Sequence, residues 1–121
     1  MKSYRELRVW RASMDLVEKI YLTTRNFPRE ETYGLTSQIR RAAVSLPSNI
    51  AEGHTREHLK EYLHHLSMTQ ASLAELETQL EIAGRLKYLS SAELNNLLTE
   101  GRSLGRQLYS LRNALQRTKA L

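Results

Sequence analysis

The sequence predicts an all-α protein, an antiparallel up-and-down four-helix bundle, on three observations. Four stretches repeat apolar residues at steps of three and four, the rhythm of helices with one buried side. Polar or Gly/Pro-punctuated connections, Pro28 to Gly34, Gly53 and Lys87-Tyr88-Leu89, separate them, and short connections join neighbouring helices of opposite direction. No segment shows the period of two that a half-buried strand needs. At 121 residues the chain makes one domain, 1–121, with a single core. No internal repeat or low-complexity tract argues otherwise.

Helix one is expected from Ser3, whose hydroxyl can cap the first turn while Glu6 reaches back, the capping-box spacing. Leu7, Trp10, Met14, Val17 and Tyr21 make a heptad-like seam expected to face the core. A second apolar line, Val9, Leu16 and Ile20, lies roughly 120° round the helix. Helix one either sits between two neighbours of its own bundle or meets another subunit; both readings stand open. It stops before Pro28.

Helix two, from Tyr33 or Leu35 to Glu52, carries two stripes. Leu35, Ile39, Ala42, Ala43, Leu46 and Ile50 fall on one side and are expected in the core. Beside them Gln38, Arg41, Ser45, Asn49 and Glu52 fall within about 80° of one another. We read this polar stripe as a hydrogen-bonded network fixing register at a bundle or subunit boundary, with Arg41 reaching Glu52, or Glu75 or Glu77 on helix three, rather than as a ligand site. Pro47 removes a helical hydrogen bond, so a kink or break is expected there, and Gly53 is expected to stop the helix.

Helix three, with Thr55 as N-cap, is expected to be the longest. Leu59, Tyr62, Leu66, Thr69, Leu73, Leu76, Leu80 and Ala83 keep its rhythm, and residues 56 to 86 would span about 45 Å. Ser90 and Glu93 repeat the capping-box spacing and open helix four. There Leu97, Leu104, Leu108, Leu111 and Leu115 lie within about 60°. Gly101 and Gly105, beside that stripe, would let another helix approach closely.

Composition bounds the function. Apolar residues make 40% and charged residues 26% of a chain without cysteine, so neither a disordered segment nor a disulfide framework nor a thiolate site is expected. No apolar run is long enough to span a bilayer, and the N-terminus lacks a signal peptide's apolar core, so a cytoplasmic protein without a membrane partner is expected. His54-Thr55-Arg56-Glu57-His58 matches the H-x-x-E-H string of inverted zincins, but Gly53 would set His54 before the helix and no third ligand is evident. Glu61-Tyr62-Leu63-His64 is half of a di-iron pair, and no histidine elsewhere completes it. His58, His64 and His65 are read as surface or interface groups. Neither a nucleophile arrangement nor a Gly-rich phosphate loop is present. No cofactor, no metal and no enzymatic turnover are expected.

Charge points to a partner. The net charge is +5, and residues 101 to 121 carry Arg102, Arg106, Arg112, Arg117 and Lys119 without an acid. Arg102, Arg106 and Arg117 lie roughly opposite the leucine stripe, as a solvent-facing basic line. Arg5, Arg8 and Arg11 add a second line at three-residue spacing. Arginine forks match phosphate oxygens on RNA or DNA of any sequence. A basic face that only aids solubility is the competing reading. Trp10, Tyr21 and Tyr62 lie on core stripes, where packing outweighs base stacking.

Leu7-Arg8-Val9-Trp10, Phe27-Pro28 followed by Glu31, Tyr33-Gly34-Leu35-Thr36, Gln38-Ile39-Arg40-Arg41-Ala42-Ala43, Ser45-Leu46-Pro47-Ser48-Asn49-Ile50-Ala51-Glu52-Gly53 and Ser72-Leu73-Ala74-Glu75-Leu76-Glu77-Thr78 together resemble the small bacterial four-helix-bundle proteins encoded in intervening sequences of 23S ribosomal RNA genes. The resemblance implies a homopentamer arranged as a barrel, a basic surface, and kinship with the accessory proteins of diversity-generating retroelements, which bind a reverse transcriptase and nucleic acid. It implies no known reaction. The expectation is therefore a pentameric nucleic-acid-binding or adaptor protein. The alternative is a scaffold for a reverse transcriptase or ribosomal component without nucleic-acid contact.

Overall fold

The computed structural model describes residues 3–120, with side chains as far as Thr118. It contains α1 Arg8–Thr24, α2 Leu35–His54, α3 Leu59–Arg85 and α4 Ser91–Ala120, with 3-10 turns at Tyr4–Glu6 and Arg29–Glu31, and no strand among the described residues. Each helix packs against its neighbours in sequence, and α4 closes on α1. Residues 55–58 join α2 to α3 and residues 86–90 join α3 to α4. At roughly 3.5 Å per residue such links cannot run back along helices of about 30–45 Å, so α2, α3 and α4 alternate in direction, and α2 is antiparallel to α1 because Arg40 meets Thr24 while Pro47 and Ala51 meet Trp10 and Tyr4. Leu16, Ile20, Ile39, Leu46, Ile50, Leu66, Leu76, Leu80, Leu104 and Leu108 are fully buried in one core. Among the described residues no helix is long and apolar enough to cross a membrane.

Helix one departs from expectation twice. The capping box forms, with the Ser3 N–H donating to Glu6 at 3.3 Å and the Arg5 N–H donating to Ser3 Oγ at 3.2 Å. It caps the 3-10 turn, because Leu7 is extended (φ −73°, ψ 131°) and α1 starts only at Arg8. The buried side of α1 is Val9, Ser13, Leu16, Ile20 and Thr24, not the heptad-like seam. Of that seam Leu7 is buried and Trp10 and Val17 are half-buried, while Met14 is 44% and Tyr21 39% exposed. The polar members of the true core line satisfy themselves on their own helix. Ser13 Oγ donates to the Trp10 carbonyl at 2.8 Å and Thr24 Oγ1 to the Ile20 carbonyl at 2.8 Å. A small hydroxyl bonded in this way is buried without an unpaired polar group.

In α2 the apolar stripe is buried as expected, with Leu35 half-buried. The helix continues through a buried Pro47, so of the expected kink or break the break is absent. Gly53 does not end it either. Gly53 lies inside α2, and a Cβ there would come within 2.6 Å of His65 Cβ, so the bare backbone lets α3 pass close. Thr55 is not the N-cap of α3. Its hydroxyl donates to the Glu52 carbonyl at 2.8 Å, and His58 holds the N-cap position. At 27 residues α3 is shorter than α4 with 30. The second capping box is present at α4, where the Glu93 N–H donates to Ser90 Oγ at 3.1 Å and the Ser90 N–H to Glu93 at 2.9 Å.

The loops at one end of the bundle are tied together. Lys87, with φ 63°, closes α3 in a Schellman pattern, the Tyr88 N–H donating to the Ala83 carbonyl and the Lys87 N–H to that of Gly84. This turn delivers Tyr88 to the first loop, where its ring meets Phe27 at 5.5 Å and its hydroxyl donates to Glu31 at 2.8 Å. The other Glu31 oxygen accepts from the Leu35 N–H at 3.0 Å and so caps α2. The Leu35 N–H and then the Tyr88 hydroxyl hold the Glu31 carboxyl below its ordinary pKa, and Glu31 in turn raises that of Tyr88.

Candidate nucleic-acid interface

The leucine stripe of α4 turns inward, with Leu97, Leu104 and Leu108 buried and Leu111 and Leu115 half-buried, and Arg102, Arg106 and Arg117 are exposed on the other side. Arg112 departs from the basic line. It is half-buried against α3, where one guanidinium nitrogen donates to Gln70 Oε1 and Nε is buried without a partner. Its place beside Leu108 and Leu111 directs it inward. The side chain of Lys119 lies outside the described residues.

Arg5, Arg8 and Arg11 are exposed but do not form one line. Three-residue spacing aligns side chains only within a continuous helix, and extended Leu7 interrupts it. Arg5 lies over the Tyr4 ring at 4.7 Å, on the α1–α2 side, and Arg11 Nε donates to the Arg5 carbonyl at 2.9 Å. Arg8 alone turns toward α4. It shares a groove of ≈ 410 Å³ with Arg106, Ser103 and Gln107.

Arg106 also borders a second groove, of ≈ 630 Å³, between α3 and α4. Its floor is open because α4 carries glycine there. A Cβ at Gly101 would stand 3.1 Å from Glu77 Oε2, and one at Gly105 3.5 Å from a Leu73 methyl. The close approach expected of these two glycines is thus made with α3. Arg102, Arg106 and Tyr109 form the α4 wall and Gln70 and Glu77 the α3 wall. Burial pushes the Glu77 carboxyl above its ordinary pKa, Arg102 pulls it down, and Glu81 adds to the rise. Sequence reasoning passed over Tyr109 and Gln70. Seven residues separate Tyr109 from Arg102, two helical turns, so its place on the basic side was legible.

The polar stripe of α2 assembles around a histidine instead of Arg41. Asn49 Nδ2 donates to the Ser45 carbonyl at 3.0 Å, which leaves Oδ1 to accept from His65 Nδ1 at 3.3 Å. Ser45 Oγ donates to the Ala42 carbonyl at 2.6 Å, and Glu52 lies 3.9 Å from His65. Gln38, Arg41 and Glu75 are exposed, and among the described residues Arg41 forms no ion pair. Of the histidines read as surface or interface groups, His65 is not at the surface but buried between α2 and α3. Its ring fits where Gly53 leaves room. His54 ends α2 and His58 precedes α3, so the H-x-x-E-H string straddles two helices and shares no face. Among the described residues no group of three His, Cys, Asp or Glu side chains could hold a metal ion.

The comparisons accord with this architecture. The model of the family described as 23S rRNA-intervening sequence protein matches residues 5–110. The chain belongs to that family. No curated protein matches it. Among solved structures it is similar to a protein of unknown function from the S23 ribosomal protein family of Bacteroides thetaiotaomicron, with a TM-score of 0.80 and 19% identity over 87% of this chain and 95% of that one. That likeness is one of fold. The runs that carry the family resemblance serve the fold as well. Phe27, Glu31 and Leu35 anchor the tied loops, and Ser45, Asn49, Glu52 and Gly53 build the α2–α3 contact at His65.

Proposed function

We propose that the protein is an oligomeric, non-enzymatic nucleic-acid-binding protein that holds phosphates along the arginine ridge of α4. The observation that carries this reading is Arg106, exposed between two grooves and shared by both, with Arg8 across one and Arg102 beside it in the other. Guanidinium forks pair with phosphate oxygens, and counterion release makes such binding tolerant of sequence and sensitive to salt. A net charge of +5 favours encounter with a polyanion.

The α1–α2 face supports the oligomeric part. Met14 and Val44 are exposed there, and with Tyr4, Trp10 and Val17 they border a groove with no charged lining residue. A second copy covering this face would remove it from water. Five copies, the number the resemblance implies, would pool their arginines on one assembly. The same face favours a second reading, an adaptor that docks a reverse transcriptase or a ribosomal component.

Retention of labelled RNA and DNA across a salt series tests the proposal. Affinity should fall steeply with salt, and Arg8→Ala, Arg102→Ala and Arg106→Ala combined should abolish retention while Tm stays unchanged. Retention indifferent to those three changes would overturn the reading, and salt-insensitive capture of one protein partner would favour the second.

A further inference from the structure

We propose that the α3–α4 groove is a base-stacking site, in which a single-stranded nucleic acid lays one base against Tyr109 while Arg102 and Arg106 hold the neighbouring phosphates. The inference rests on the phosphate-binding reading of the ridge and adds the form of the nucleic acid. Tyr109 is 62% exposed on the wall of the groove, three residues from Arg106 and seven from Arg102, so ring and guanidinium groups share one side of α4. An exposed tyrosine presents a flat apolar face to water, and stacking on a base covers it.

The groove has the shape and polarity for such a guest. Its floor is apolar at Gly105, where a Leu73 methyl lies 3.5 Å from the place of a Cβ, and polar at buried Gly101, where the Glu77 carboxylate lies against the backbone. Half-buried Glu77 lines the α3 wall, and exposed Arg102 and Arg106 line the α4 wall. A phosphate is repelled from the carboxylate and attracted to the arginines, so the backbone runs along α4 and the base points inward. The carboxylate faces the base edge, where it can accept from an exocyclic amino group as acidic side chains do from cytosine N4. Paired bases are stacked inside a duplex and cannot enter, whereas unstacked bases of a single strand can.

The test uses the full chain and short RNA and DNA strands carrying 2-aminopurine, each as a single strand and as a duplex. Single strands should bind with quenching of 2-aminopurine fluorescence. Tyr109→Ala should weaken single-strand binding roughly 5- to 100-fold with duplex binding unchanged, and Tyr109→Phe, which keeps the ring face, should restore both affinity and quenching. Three results would overturn the proposal: Tyr109→Ala binding single strands as the wild type does, losing single strands and duplex equally, or sedimenting with a different mass, which would make Tyr109 a subunit contact. Loss of binding on changing Arg102 and Arg106 with Tyr109 inert would sink the stacking site and leave the arginine ridge standing. Failure of the wild type to bind any strand would sink both.

Discussion

The α1–α2 face exposes Met14 and Val44 on a groove with no charged lining residue, with Tyr21 under the Arg40 guanidinium in the groove beside it, whereas Arg8, Arg102 and Arg106 are exposed around two grooves on α4, the α3–α4 one lined by glycine and leucine. Both faces come from helices that pack their apolar stripe on the same core. They differ in what remains outside. Apolar surface left in water forgoes about 25 cal/mol per Å², so the first face gains by being covered. Solvated arginines gain nothing from burial and much from a phosphate, so the second face gains by staying open. On the proposed function, one molecule would assemble through one side and bind through the other.

The comparison is sharpest on α1, whose two lines were easily confused. Leu16→Ala, in the fully buried line, should cost about 2–5 kcal/mol by denaturant unfolding. Met14→Ala, on the outer line, should leave the unfolding of a dilute monomer nearly unchanged while shifting sedimentation toward smaller species. Equal costs for the two would erase the distinction between the faces. Next in size is Gly53→Ala, at the α2–α3 contact. Its new methyl would press on His65 Cβ, which cannot swing away like a side-chain tip, and the expected loss is about 1–3 kcal/mol. A stabilised variant would show that the α2–α3 contact yields.

On the open face, Arg106→Ala should leave thermal unfolding alone and lower the slope of log affinity against log salt by about 1. A drop in Tm instead would place Arg106 among structural residues. The smallest effects belong to two carboxylates. The pKa of Glu31 is lowered in the folded state, so its contribution is present above the unfolded-state pKa and lost as pH falls through the folded one. Glu31→Gln should flatten that acid limb of stability against pH. Glu77 is raised, so the folded state binds its proton more readily and loses relative stability as pH rises through the folded pKa. Glu77→Gln should therefore slightly stabilise the protein at neutral pH, and equal slopes for both variants would contradict the assignment.

Much of the bundle was legible because amphipathic periodicity is a property of each helix alone. The stripes of α2, α3 and α4 read correctly, as did the capping box of α4, since each needs only residues three or four apart, whereas the one at Ser3 forms but caps a 3-10 turn ahead of α1. The core line of α1 did not. Ser13 and Thr24 occupy core positions as self-bonded hydroxyls and interrupt the apolar pattern, while Trp10, Met14 and Tyr21 imitate a core seam. The basic site was half legible. Arg102, Arg106 and Tyr109 follow from helical spacing, but Arg8 joins them only because α1 and α4 are antiparallel neighbours, and Arg112 leaves them only because Gln70 on α3 is there to receive it.

By itself the sequence determined four helices, their inward stripes on α2 to α4, the excess of arginine and the family, because these depend on residues close in the chain. The tertiary structure decided which side of α1 is buried, that Gly53 is a crossing point for His65, and that Gly101 and Gly105 open a groove beside Tyr109. Those are facts about neighbours distant in sequence, and spacing along one helix carries no record of what packs against it.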